Sequence, residues 1–346
     1  MCECKMHTPE MMNVVILVVL TVTVIVLIIL YFRLDYHTYN GVAKGKYHLG
    51  LGALFKNESH ILKEWIEHHK YEGFDHIYLV NDHSTDNYME ILKPYIKAKY
   101  ITLYHVPDKH RDSSAQLWAF NKVFYKKCIR RCTWFMHLDL DEFLTSRDDV
   151  RVVEKVDTLF SEYDFIRIPW LLFGSSGVEK IPESAVDAFT HRMKLEYNPN
   201  LYLNDNIQVK TLYRSSKIKW YLGNPMVHSP YTEGKYTLSN LERPDSGLFL
   251  GFGYTNSQEE DVDKHHLVIN HYRLQSREFW EKVKCTRGDS NNFAYMQARD
   301  FAKFDELDKE YSGVIDTNLR DKRRRRMQRT FSPTKSKITC EQLTSA

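Results

Sequence analysis

The sequence predicts an α/β protein: a mostly parallel sheet with helices on both faces, behind a single N-terminal transmembrane helix. Three observations carry that expectation. Apolar runs of strand length alternate with stretches of helical periodicity between residues 49 and 169. The 346 residues are 43% hydrophobic and 27% charged, with 10 Pro and 14 Gly, which excludes collagenous, low-complexity and disordered chains. Val14 to Phe32 is an uncharged run of 19 residues, VVILVVLTVTVIVLIILYF, interrupted only by Thr21 and Thr23. At 1.5 Å per residue it matches a hydrocarbon core of about 30 Å.

The elements follow in order. Residues 1–13 form a short tail, 14–32 the membrane anchor and 33–46 a stalk. A buried core helix and a cleaved signal peptide are the alternatives for the apolar run. It ends in bulky Tyr31-Phe32-Arg33 with no small-residue cleavage site, which favours an uncleaved anchor. One folded domain is expected over 47–318. It opens with a buried strand from Leu49 to Phe55, then a helix whose apolar stripe is Ile61, Leu62, Trp65 and Ile66. Asn57 or Ser59 can cap that helix, with Glu58 in its first turn, where the helix dipole favours an acid. His76 to Val80 is a second strand, Asn81 to Asp86 a turn leading into another helix, and Ile101 to Val106 a third strand. Ser113 or Ser114 opens an amphipathic helix through Leu117, Phe120 and Phe124. Thr133 to Leu138 and Phe165 to Pro169 read as further strands, and from Ser175 the pattern becomes an irregular α+β elaboration. Strands alternating with helices at this spacing give a doubly wound sheet.

Charge is unevenly placed. The net charge is +3, yet the nine Lys/Arg beyond residue 319, set against Asp321 and Glu341, leave residues 1–319 at −4. That charge argues against a nucleic-acid-binding body, and residues 319–346 read as a basic, flexible tail. Within it, Arg323 to Arg326 is a solvated run or a contact for anionic lipid or glycan. Six Cys in this length do not make a disulfide framework, and Cys128 and Cys132 read as core or surface thiols.

Ligands of doubly wound sheets bind outside the carboxyl ends of the strands. Three polar clusters fall there: Lys56-Asn57-Glu58, Asn81 to Asp86, and Asp139-Leu140-Asp141-Glu142. In an extended segment Asp139 and Asp141 share one face while Leu138 and Leu140 point into the core. Two such carboxylates suit a hard divalent ion, Mn²⁺ or Mg²⁺, that also holds a diphosphate; a solvated loop or helix cap is the plain alternative. Neither G-x-G-x-x-G after the first strand nor G-x-x-x-x-G-K-[ST] is present, so dinucleotide and P-loop chemistry lose support. A D-x-D phosphohydrolase fits less well, because its motif continues with Thr or Val on an early strand, whereas Glu142-Phe143 follow here on the fourth.

The combination of Phe55-Lys-Asn-Glu-Ser59, Trp65, Val80-Asn-Asp-His-Ser-Thr-Asp86, Gln116 and Trp134…Asp139-Leu-Asp-Glu-Phe143 resembles the GT-A glycosyltransferases, specifically family 92 and its relatives in family 2. Trp170-Leu-Leu-Phe-Gly-Ser-Ser-Gly177, Lys210-Thr-Leu-Tyr-Arg214, His228 and Asn270-His-Tyr-Arg273…Ser276-Arg-Glu-Phe279 extend the likeness over about residues 50–290. The resemblance implies a GT-A fold, a UDP-sugar donor with galactose the first expectation, a divalent ion, a glycan acceptor and inversion at the anomeric carbon. It places Asn57, Glu58, Asp82, Ser84 and Asp86 around the uracil and ribose and Gln116 over the donor. For Ser84 and Asp86, turn and N-cap chemistry is an equal alternative. It places the metal on Asp139 and Asp141, with His271 as third ligand and His228 behind it, and makes Gly174-Ser175-Ser176-Gly177 the donor–acceptor loop. Asp187 is the expected base. Asn57-Glu-Ser59 matches an N-glycosylation pattern but lies in the expected donor site. Trp170, Trp220 and Trp280 can stack on sugar rings or pack the core. Flanking charges, Lys5 before the anchor against Arg33, Lys44 and Lys46 after it, favour a cytosolic body. The resemblance favours a luminal one in the Golgi or secretory pathway, and that orientation is the expectation. A phosphohydrolase and a non-catalytic, membrane-tethered glycan-binding protein are the competing classes.

Overall fold

The computed structural model describes residues 16–27, 45–110, 114–196, 208–218, 234–242, 257–287 and 300–331. The chain divides into two units, Met1–Gly45 and Lys46–Ala346. In the first, residues 16–27 are helical with exposed apolar side chains. The hydroxyls of Thr21 and Thr23 donate to the carbonyls of Leu17 and Val19, so the two polar groups are satisfied within the helix. Among the described residues no helix is long and apolar enough to cross a membrane. The rest of the anticipated span lies outside them.

Among the described residues, the second unit is built on a curled nine-stranded sheet. Its strands, with those of a small second sheet, are β1 Tyr47–Phe55, β2 His76–Asn81, β3 Ile101–His105, β4 Cys132–His137, β5 Glu142–Ser146, β6 Phe165–Leu172, β7 His191–Arg192, β8 Val209–Arg214, β9 Tyr236–Leu238, β10 Leu267–His271 and β11 Val314–Ile315. The main order is β3-β2-β1-β4-β8-β6-β10-β5, with β9 beside β6, while β7 and β11 pair antiparallel on their own. Five of the eight main pairings are parallel; β8 runs against both β4 and β6, and β5 against β10.

Period-two alternation places helices on both faces. Leu49, Leu51, Ala53 and Phe55 of β1 join Ile61, Leu62, Trp65 and Ile66 of helix α1 (Ser59–Glu72) in one buried cluster. Between them Gly50 and Gly52 face the other way. A Cβ on Gly52 would meet the Phe124 and Phe135 rings at 3.0 Å, and one on Gly50 would meet Cys132 Sγ at 2.2 Å. The LGLGALF pattern is thus two packings in one strand: branched side chains against α1, bare backbone where an aromatic helix presses close.

That aromatic helix departs from expectation. Ala115–Trp118 is a single α turn that continues as a π-helix, Ala119–Cys128. Phe120 and Phe124 are buried as anticipated, but Leu117 is 45% exposed. The i→i+5 winding changes the angle between successive side chains, so Leu117 falls off the stripe that an α period would give it.

The cap of α1 is also not the expected one. Glu58 occupies the N-cap but its side chain does not cap the helix, and the N–H of Ser59 donates instead to Asp86 Oδ2 at 2.8 Å. At the other end Gly73 closes α1 at φ +103°, the left-handed C-cap conformation that a side chain resists.

The expected flexible tail requires the largest correction. Asn318–Phe331 is a helix docked on the body, preceded by Phe301–Glu310. Leu319 and Lys322 are buried. Lys322 Nζ donates to Thr145 Oγ1 at 3.1 Å and Ser146 Oγ at 2.7 Å, and lies 3.3 Å from Glu72 Oε1. The arginine run is spent on the body: Arg323 on Glu64, Arg324 on Asp187, Arg325 and Arg329 on Asp149, and Arg326 over the Tyr71 ring at 3.8 Å. Composition makes the run look solvated because its acidic partners lie far away in sequence. The boundary placed at 318/319 belongs no earlier than the end of this helix.

Candidate functional site

The carboxyl ends of β1, β2 and β4 carry the three clusters expected from sequence. After β1 and β2 two loops are stitched together. Asn57, at φ +55°, donates its N–H to Ser84 Oγ at 3.0 Å and accepts from the Thr85 N–H at 2.8 Å. Ser84 N–H donates to Asn81 Oδ1, and Asp86 caps α1. Asn57, Ser84 and Asp86 therefore do turn and cap work, the plainer of their two expected roles. Asp82 is different. Its carboxylate is buried, with His83 Nδ1 at 3.0 Å and Lys56 Nζ at 3.9 Å; His83, at φ +54°, reaches on to Asp108 at 3.1 Å. Glu58 is buried beside this loop, and Gln116 lies half-buried on the α turn before the π-helix.

The third cluster is an acidic turn between β4 and β5. Leu138 and Leu140 point into the core as expected, and Leu138 N–H donates to the Gly52 carbonyl. Asp139 is left 57% exposed, its carboxylate 3.0 Å from Lys210 Nζ. Glu142 is fully buried and ties the turn together: its Oε2 accepts from the Asp139 N–H at 2.8 Å and from Lys210 Nζ at 2.5 Å. Antiparallel pairing sets His271, the last residue of β10, opposite Glu142. That register brings His271 Nε2 within 3.5 Å of Asp141 Oδ1. Lys284, from the helical segment Trp280–Lys284, holds Asp141 Oδ2 at 3.0 Å. Trp170 stands edge-on to the His271 ring at 4.7 Å, and Lys210 Nζ lies 5.7 Å from the Trp170 ring centre.

Burial opposes charge on Asp141, but the Lys284 ammonium and His271 outweigh it and hold the carboxyl well below its ordinary range. Glu142 moves the other way: burial, with Asp139 and Asp141 adding to it, pushes its carboxyl above the ordinary range despite Lys210. Burial lowers His271 against the pull of Asp141, which leaves the imidazole neutral near pH 7. Burial also works against charge on Lys210, yet Asp139 and Glu142 raise it above the usual lysine value.

Of the three expected metal ligands, the structure brings Asp141 and His271 together and turns Asp139 to Lys210. Among the described residues no three His, Cys, Asp or Glu side chains assemble to hold an ion. A carboxylate beside a neutral imidazole does suit Mn²⁺ or Mg²⁺, and the buried His271 Nδ1 and Glu142 Oε1 have no hydrogen-bond partner. The residues therefore fit two ligands of a divalent ion and not the expected three.

Asp187 is not joined to this turn. Its N–H donates to Ser184 Oγ, and its carboxylate faces Arg324 at 3.5 Å. In the Gly174 to Gly177 loop, Ser175 donates through N–H and Oγ to Asp308, and Ser176 Oγ accepts from the N–H groups of Thr190 and His191. Both hydroxyls thus secure a turn. His228 and Trp220 lie outside the described residues, and Cys128 and Cys132 are buried free thiols. Sequence reasoning missed Lys284 and the tying role of Glu142. Lys210 had a legible signal: a cation among the buried residues of the strand VKTLYR, whose other cation, Arg214, stands at its end.

Open α/β sheets bind ligands outside the carboxyl ends of their parallel strands, and the acidic turn that follows β4 lies at that edge. The chain belongs to glycosyltransferase family 92, whose family model matches residues 51–332. A glycosyltransferase family 92 protein from Ricinus communis is 23% identical over 297 residues, 78% of this chain and 46% of its own length. The chain thus spans about half the length of this curated relative. Among solved structures, S. aureus TarS 1-349 aligns over 49% of this chain and 47% of its own, with 13% identity and a TM-score of 0.32. HddC from Yersinia pseudotuberculosis aligns over 72% and 83%, with 11% identity and a TM-score of 0.27.

Proposed function

We propose that this chain is a membrane-anchored glycosyltransferase that moves a hexose, galactose in the first instance, from a UDP-sugar to a glycan acceptor with inversion. The observation that carries the reading is the acidic turn of a family 92 chain, where Asp141, His271, Lys210 and Lys284 converge at the carboxyl edge of the sheet. In the reaction an acceptor hydroxyl oxygen attacks the anomeric carbon as the bond to the diphosphate oxygen breaks, and UDP leaves with the bonding pair. Mn²⁺ or Mg²⁺ on Asp141 and His271 would supply Lewis-acid neutralisation of the leaving diphosphate. Lys210 and Lys284 add fixed positive charge at the same edge, in a setting where burial strengthens each interaction. Asp82, Glu58 and Gln116 are the proposed contacts to uracil and ribose, on loops that Asn57, Ser84 and Asp86 hold in shape. Asp187 is the proposed acceptor for the hydroxyl proton, on family resemblance. The body is proposed to face the lumen of the secretory pathway, tethered through residues 14–32.

Incubation of the purified protein with UDP-sugars and a glycan array tests the reading. Acceptor-dependent release of UDP supports it. Release of inorganic phosphate alone would put a phosphohydrolase in its place, and glycan binding without turnover would indicate a tethered lectin.

A further inference from the structure

Asp141 is the buried carboxylate of the acidic turn, and both its oxygens are already faced. Oδ1 looks at His271 Nε2 at 3.5 Å, and Oδ2 is bound by Lys284 Nζ at 3.0 Å. Both residues are buried, Asp141 to 4% exposure and Lys284 to 9%, so solvent screens this ion pair poorly. A second ammonium, Lys210, balances Asp139 in the same turn. On the far side of His271, its Nδ1 and the Glu142 Oε1 stand 3.9 Å apart, both buried and neither hydrogen-bonded. The turn thus has the polar groups of a cation site, with a lysine already seated on its central carboxylate.

We propose that Lys284 is a tethered competitor for the divalent ion: its ammonium occupies Asp141, and a metal binds there only when that ammonium is displaced. A dication ligated by Asp141 would lie beside a fixed positive charge in a low-dielectric setting, and that repulsion weakens binding as long as Lys284 keeps its place. The effect requires only the lysine's charge, so arginine should reproduce it and an uncharged side chain of similar length should not. The proposal rests on the acidic turn being the donor's diphosphate site. An incoming diphosphate is a second anion for the ammonium to follow, which would couple metal binding to donor binding.

The test is a Mn²⁺ titration of the full-length protein, with free ion read by electron paramagnetic resonance, with and without UDP. Lys284→Met should bind Mn²⁺ at least tenfold more tightly than the native chain, Lys284→Arg should match the native chain, and adding Asp141→Asn to Lys284→Met should abolish the gain. Lys284→Gln serves in place of the Met variant if a thermal melt shows that protein to be unfolded. A folded Lys284→Met or Lys284→Gln protein that binds Mn²⁺ no more tightly than the native chain overturns the proposal. UDP, whose diphosphate also ligates the ion, should tighten Mn²⁺ binding by both proteins, and by the larger factor in the native chain, where it also draws the Lys284 ammonium away. If UDP affects neither protein while the Met variant still gains, the nucleotide-sugar reading fails and the competition stands.

Discussion

Replacing Lys322 with Met tests whether the C-terminal helix belongs to the folded body. Lys322 Nζ donates to Thr145 Oγ1 and Ser146 Oγ and pairs with Glu72 Oε1, all three partners buried. Methionine matches the length of the stem and removes the charge and its donors. Two hydrogen bonds donated by the ammonium, about 1.5 kcal/mol each at the low end for a charged donor, are lost, together with the contact to Glu72. Glu72 keeps the Val152 N–H on Oε2, but its Oε1 is left buried without a cation. Burial already pushes this carboxyl above its ordinary range even with Lys322 beside it, and losing the ammonium shifts it further toward the neutral form, which softens the loss. The expected cost is about 3 kcal/mol, at the low end for breaking a buried pair. Urea unfolding followed by tryptophan fluorescence reads it, since Trp65 is buried on α1 with its indole N–H on the Glu142 carbonyl. Adding Glu72→Met should recover at least half the loss, because it removes the orphaned acid. A Lys322→Met protein within about 0.5 kcal/mol of the native chain would mean that the helix is not part of the cooperative fold.

Asp141→Asn should abolish transfer and cost about 3 kcal/mol in urea unfolding, since it strands the buried Lys284, whereas Asp139→Asn, on an exposed carboxylate, should stay within about 1 kcal/mol; equal costs would contradict the difference in burial. Stability should fall on acidification from pH 7 to 5. Burial lowers His69 to about 3 and His265 to about 4, and the His69 imidazole accepts the Leu144 N–H on Nε2, so the folded chain keeps both rings neutral where the unfolded chain protonates them below about pH 6.5. Each contributes stability that is complete above pH 6.5 and about 2 kcal/mol poorer at pH 5; urea midpoints that hold or rise between these pH values would refute the neutral assignment. Gly50→Ala should destabilise by about 2 kcal/mol in thermal melts, because its Cβ would lie 2.2 Å from Cys132 Sγ; an unchanged melt would show that the sheet can yield there. In sealed microsomes the body should resist protease until detergent is added, and digestion without detergent would refute the luminal orientation.

The half of the sheet from β1 to β4 was legible because it is local. Each strand is a short apolar run, each crossover a helix of matching period, and parallel order follows from the alternation. The other half was not, because β8 inserts between β4 and β6, and β5 pairs with β10 over more than a hundred residues. No local pattern announces such pairings. The arginine run of the C-terminal helix is the sharpest case: its composition is that of a solvated tail, and its partners Glu64, Asp149, Asp187 and the Tyr71 ring, all far away in sequence, make it a docked one.

The site divides along the same line. Asp141 and His271 could be named from sequence, one from a strand-end motif and the other from family resemblance, and a β-register sets them side by side. Their counter-charges could not. Lys284 sits in Glu281-Lys282-Val283-Lys284, which reads as the wet face of a helix, and its neighbour Lys282 does pair outward with Glu278. What separates the two lysines is two positions along a helical segment, enough to turn one toward solvent and the other onto a buried carboxylate. A motif therefore names the acids of a site more readily than the cations that balance them. Acids at a strand end share a fixed spacing, while each balancing cation arrives from a different part of the chain. On the competition proposed above, both matter, since Asp141 would serve a metal only to the extent that Lys284 released it.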